Sequence, residues 1–132
     1  MKKMRVMLVD DEERFLATTS KLLTRKGYEV VTAASGAEAL RHLAEFPIHV
    51  VVLDVKMPGM DGIATLREIK KLSPQVEVIL LTGHATVESA VEGLNAGASD
   101  YLVKPCDLDE LIRKVNEAFE KLRHLKGDSS PP

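Results

Sequence analysis

Five polar residues each stand directly after a short apolar run. Asp10 and Asp11 follow Val6-Met7-Leu8-Val9, Asp54 follows Val50-Val51-Val52-Leu53, Thr82 follows the run ending at Leu81, and Lys104 follows Tyr101-Leu102-Val103. Each alone has a plain reading: a helix cap for an aspartate, turn chemistry for a threonine, a solvated charge for a lysine. Together they describe a chemistry. Three carboxylates on one small rim repel one another unless a cation compensates them, and the fitting cation is hard and oxygen-seeking, hence Mg²⁺. Beside such a cation an ionised aspartate is a nucleophile toward a phosphoryl group, and it needs no general base. A phosphoryl group in transfer needs its equatorial oxygens neutralised, and the ammonium of Lys104 and the hydroxyl of Thr82 are groups of the right kind.

For these residues to meet, the elements carrying them must lie side by side. Residues 13 to 26 carry a helical stripe (Phe15, Thr19, Leu22, Leu23) that ends at Gly27, and Val30 to Ala33 reads as a second strand. Ser35 and Glu38 form a capping-box pattern that opens a helix to about Glu45. The loop Met57-Pro58-Gly59-Met60-Asp61-Gly62 leads into a helix through Ile63, Leu66 and Ile69, stopped at Ser73-Pro74. Val76 to Leu81 is the fourth strand, and a helix from about Val87 to Ala96 ends at Gly97. After the fifth strand, Asp107 opens the last helix with Glu110 as its capping partner, and Leu108, Leu111, Ile112, Val115, Phe119 and Leu122 mark one face of it. Strands without a polar face are buried on both sides, so five such units predict an α/β fold. The expected form is a flavodoxin-like (βα)5 doubly wound parallel five-stranded sheet in the order 2-1-3-4-5. In that architecture the working site lies at the carboxyl ends of the strands, at the switch point between strands 1 and 3.

Composition bounds the rest. At 132 residues the chain is expected to hold one domain, residues 4 to 123, with 124 to 132 as a linker stub or disordered tail. The net charge of −2 gives no reason for nucleic-acid binding. Apolar runs of at most four residues are far short of the roughly 20 that a membrane helix needs. No apolar signal segment follows the basic start, and the expected location is the cytoplasm. Aromatic residues are only 4%, which predicts an aliphatic core. Cys106 has no partner for an internal disulfide, and His42, His49, His84 and His124 lack metal-ligand spacing.

Val9-Asp10-Asp11-Glu12, Leu53-Asp54 with the Met57 to Gly62 loop, Leu81-Thr82-Gly83, and Gly97 to Pro105 with its Lys104-Pro105 end together resemble a response-regulator receiver domain of two-component signal transduction. The resemblance implies that Asp54 is the phosphoacceptor, and that Asp11 binds Mg²⁺ directly with Asp10 helping through water. Asp54 and the Lys56 carbonyl complete the metal site, and Thr82 and Lys104 contact the phosphoryl group as switch residues. It also implies a cis Lys104-Pro105 peptide bond and an inward turn of Tyr101 on activation. The implied partners are a sensor histidine kinase or phosphotransfer protein as donor and a downstream effector domain or protein that reads the face of helix 4, strand 5 and helix 5. A homodimer through that face is compatible with it. Such a domain catalyses its own phosphorylation and slow dephosphorylation and turns over no external substrate. Lys56 and His84, two residues past Asp54 and Thr82, are candidates for tuning the phosphoryl lifetime.

Two other readings share parts of this pattern. A flavin-binding carrier has the same architecture, but the charge of Asp10-Asp11-Glu12-Glu13 in the first loop opposes an anionic cofactor. A Mg²⁺-dependent phosphatase with an aspartyl nucleophile would pair that nucleophile with an acid two positions on, where this chain has Lys56.

Overall fold

A computed structural model describes residues 4–55, 62–83 and 87–125, with nothing taken from the side chains of 87–90 and 124–125. Strands and helices alternate throughout. They are β1 (Arg5–Val9), α1 (Glu13–Arg25), β2 (Glu29–Ala33), α2 (Gly36–Glu45), β3 (Val50–Asp54), α3 (Gly62–Leu72), β4 (Glu77–Thr82), α4 (Val87–Asn95), β5 (Asp100–Val103) and α5 (Leu108–Leu125). The strands form one parallel sheet in the order β2-β1-β3-β4-β5, as expected.

Strand alternation divides the core into two layers. Val6, Leu8, Val50, Val52, Ile79 and Leu81 face α1 and α5, where Leu16, Leu23, Leu111, Val115 and Phe119 cover them. Met7, Val9, Val51, Leu53, Val78 and Leu80 face α2 and α3, through Ala39, Ile63, Leu66 and Ile69. The strands are not equally apolar in their surroundings. β3 and β4 are buried along their whole length, whereas β2 is mostly half-exposed and β5 buries only Leu102. Full two-sided burial belongs to the centre of the sheet, because an edge strand has a neighbour on one side only.

Several local expectations shift. The buried stripe of α1 is Leu16, Thr19 and Leu23, with Phe15 and Leu22 at its border. Ser35 Oγ caps α2 by accepting from the Glu38 N–H at 3.1 Å, while the Glu38 carboxylate reaches back one residue further and accepts from Ala34 N–H. At α5 the Asp107 carboxylate accepts from Asp109 N–H at 3.1 Å, and Glu110 lies 3.8 Å from Arg113. Phe119 stacks on Tyr28 with ring centroids 5.0 Å apart, so the layer under α5 is not purely aliphatic. Gly27 and Gly97 end α1 and α4 with φ of 100° and 112°, in the left-handed region where a Cβ is penalised.

Candidate functional site

β1 and β3 are adjacent, so their carboxyl ends bring Asp10, Asp11 and Asp54 to one rim. One oxygen of each carboxylate lies within 4.8 Å of the others. The two aspartates at the end of β1 play different parts. Asp10 extends the ladder to β2 through its N–H and the Ala33 carbonyl at 3.0 Å, which turns its side chain into the protein. It is 0% exposed; Oδ1 accepts from Glu12 N–H at 3.0 Å and Oδ2 accepts from Lys104 Nζ at 2.7 Å. Asp11 is exposed. Asp10 therefore does not cap α1, whose N-cap is Glu12 with no side-chain cap bond; it braces the turn just before the helix by accepting from Glu12 N–H.

Asp54 is the last residue of β3, paired with Leu81 of β4 and nearly buried. The start of α3 presses against the backbone behind it. Gly62 N–H donates to Val55 O at 2.9 Å, and a Cβ at Gly62 would stand 2.5 Å from Val55 Cα and 2.7 Å from Asp54 O. Only glycine lets the helix close over this strand end.

Thr82 ends β4 and is buried, and its carbonyl accepts from Lys104 N–H at 2.8 Å. That bond carries β5's register past Val103 and sets Lys104 at the rim, where the Lys104-Pro105 peptide bond is cis as the resemblance implied. Lys104 Nζ lies 3.7 Å from Asp54 and 4.0 Å from Glu12, and sits over the Phe15 ring at 5.2 Å. Burial alone would lower the pKa of this ammonium, but the hydrogen bond and charge of Asp10, with the charges of Asp54 and Glu12, outweigh that and hold it above the ordinary lysine value. Among the described residues one lysine thus faces several carboxylates, and a cluster of carboxylate oxygens of this kind suits a hard cation.

The other residues singled out from the sequence divide. Tyr101 and Val103 point outward from β5, 37% and 41% exposed, and Val91 and Leu94 of α4 are exposed as well. Cys106 is half-buried, and burial pushes its thiol pKa above the ordinary value. Lys56, its carbonyl, His84 and the tail from residue 126 onward lie outside the described residues, as do the side chain of His124 and the loop residues Met57 to Asp61. Sequence reasoning missed Glu12 and Phe15 as neighbours of Lys104. The signal was available for Glu12, which sits in the same acidic run, and absent for Phe15, whose place depends on how α1 packs.

Residues 6–116 match the response regulator receiver domain family. The chain is 42% identical over 126 residues to the transcriptional regulatory protein ZraR of Salmonella typhimurium, covering 96% of this chain and 29% of that protein. It is equally identical over 126 residues to PrrA of Mycobacterium tuberculosis, of which it covers 54%. The chain thus spans only part of the length of these curated relatives. Among solved structures, the receiver domain protein (CheY-like) of Methanospirillum hungatei JF-1 matches with a TM-score of 0.90 and 33% identity, over 93% of this chain and 98% of that one. Strand order, acidic rim and sequence similarity agree, and the chain belongs to the response-regulator receiver domains.

Proposed function

We propose that this receiver domain accepts a phosphoryl group on Asp54, with Mg²⁺ at the rim, and transmits the change to the face of α4, β5 and α5. The observation that carries the reading is the meeting of Asp10, Asp11 and Asp54 within 4.8 Å beside Lys104. The donor is the phosphohistidine of a sensor histidine kinase or phosphotransfer protein. An Asp54 carboxylate oxygen attacks phosphorus, the donor's P–N bond breaks, and the imidazole leaves with the bonding pair and takes up a proton. In self-dephosphorylation water attacks phosphorus, the P–O bond to Asp54 breaks, the carboxylate leaves and inorganic phosphate is released with the proton lost from the water.

The donor set fits Mg²⁺, since it consists of carboxylate oxygens with one ammonium nearby. In this reading Asp11, which is exposed, binds it directly with Asp54 and the Lys56 carbonyl, while Asp10, which accepts from Lys104 and Glu12 N–H, supports it through water. When bound, the ion supplies charge neutralisation at the phosphoryl oxygens. Lys104 and the Thr82 hydroxyl take further oxygens. Moving such a switch from mostly off to mostly on requires roughly 5 kcal/mol of differential stabilisation. Two or three charge-assisted hydrogen bonds at about 1.5–3 kcal/mol each supply it. Tyr101, now at the surface, turns inward as Thr82 moves. An effector domain or protein, or a second copy of the chain, reads that face. Neither the flavin carrier nor the phosphatase finds support among the relatives.

The test uses acetyl phosphate with Mg²⁺. Asp54→Asn is expected to abolish labelling, and labelling at full stoichiometry in that variant rejects the assignment. Lys56→Ala and His84→Ala are expected to change the decay of the phosphorylated protein, and unchanged decay in both removes them as lifetime residues.

A further inference from the structure

Lys104 is the flexible member of the rim, its ammonium carried on a four-carbon stem. Asp10 Oδ2 accepts from its Nζ at 2.7 Å, and Asp54 and Glu12 lie 3.7 and 4.0 Å away. Asp54 changes partners when a cation or a phosphoryl group arrives, and a cation at the rim repels the ammonium. One neighbour is of a different kind. Nζ stands over the Phe15 ring, 5.2 Å from its centroid, inside the roughly 6 Å over which a ring face attracts a cation. A hard metal ion prefers oxygen, so it does not compete for that face.

The ring and the carboxylate that share Lys104 are fixed by one turn. Asp10 Oδ1 accepts from Glu12 N–H at 3.0 Å, while its other oxygen holds Lys104. α1 begins at Glu13, which puts Phe15 in its first turn. Leu16 beside it is buried in the layer under α1, and Phe15 packs against the same layer. The ring is thereby pinned on one side and meets the lysine from the end of β5 on the other. An aliphatic side chain at this border would serve the packing, but it offers a cation no attraction.

We propose that Phe15 is a positioning residue for phosphoryl transfer: its ring face keeps the Lys104 ammonium at the rim while the carboxylates take up the cation and the phosphoryl group. Phe15 acts only through Lys104. The proposal rests on the reading of Asp54 as the phosphoacceptor.

Phe15→Leu and Phe15→Met keep an apolar side chain without a π face, and either serves if the other does not fold. Phe15→Tyr keeps the face. In the full chain with acetyl phosphate and Mg²⁺, the Leu and Met variants are expected to be phosphorylated about three- to tenfold more slowly, and Tyr within about twofold of wild type. Mg²⁺ affinity, read from the Asp11 amide resonance, is expected to change less than about twofold in all three, because the ring attracts the ammonium and not the metal ion. The ε-methylene protons of Lys104 are expected upfield in wild type and Phe15→Tyr, and shifted back in the Leu and Met variants. Equal phosphorylation rates in wild type and the apolar variants overturn the proposal, as does a Tyr variant as slow as they are. So does a Mg²⁺ affinity that falls in step with the rate, or a Lys104 signal indifferent to residue 15. Those results leave the labelling of Asp54 in place. A wild type that takes no label fails the reading of Asp54 itself, and the proposal falls with it.

Discussion

At the end of the sheet where the chain enters the strands, charges are answered one by one, and at the end where it leaves them, Asp10, Glu12 and Asp54 share Lys104 among the described residues. At the entering end, Arg5 pairs with Glu29 at 2.8 Å and lies over the Phe46 ring. Its N–H donates to His49 Nδ1 at 3.1 Å. Glu77, 6% exposed, accepts from Ser99 Oγ at 2.6 Å and lies 3.4 Å from Lys121. Lys70 Nζ donates to the carbonyls of Pro74 and Val76, both at 2.8 Å. This end ties β1, β2, β4 and the segment before β5 to α3 and α5. Among the described residues the rim gathers several carboxylates around one ammonium, and that concentration of negative charge is what a cation and a phosphoryl group can use.

The contrast can be broken in four places. The largest effect is expected at Gly62, where the rim depends on backbone closeness and not on charge. Gly62→Ala is expected to cost about 3 kcal/mol in urea denaturation, because a methyl there would meet the backbone of Asp54 and Val55. A loss below about 1 kcal/mol would show that α3 retreats without strain. At the entering end, Glu77→Ala removes the acceptor of Ser99 and the partner of Lys121. It is expected to cost about 2 kcal/mol, read as a lower denaturation midpoint.

Removing a carboxylate charge at the rim is expected to have the opposite sign. Asp54→Asn relieves repulsion from Asp10 and Asp11 and is expected to stabilise the chelator-treated protein by about 1 kcal/mol. Mg²⁺ should then raise the melting temperature of the wild type more than that of the variant. A destabilised Asn variant in chelator would contradict that repulsion. The smallest effect belongs to Lys104. Its pKa is raised above the ordinary 10.5, so its contribution is complete at neutral pH and is lost as pH climbs from about 10.5 through the higher folded value. Lys104→Met should lack that alkaline component, and parallel alkaline loss in both proteins would mean that the ion pair adds nothing.

The legible and illegible parts of the molecule differ in kind. Asp10-Asp11, Asp54, Thr82 and Lys104 could be read together because each follows an apolar run, and parallel strands put every such position at one end. The entering end had no comparable signal. Glu77, Ser99 and Lys121 sit at the start of a strand, in a turn and late in a helix, and nothing in their spacing announces that they meet. The shift of the α1 stripe toward Leu16 has the same origin, because which residue of an amphipathic border is buried depends on how the helix rolls against the sheet.

By itself, the amino-acid sequence determined the element order, the parallel sheet and the five side chains at its carboxyl edge, because periodicity and strand ends are local properties. Tertiary structure alone decided that Asp10 is sealed behind Lys104 while Asp11 faces solvent, although the two are neighbours in the chain. It also decided that the Thr19 hydroxyl is buried with no hydrogen-bond partner among the described residues. Those outcomes depend on which distant group arrives to fill or leave a space, and no local pattern encodes the arrival.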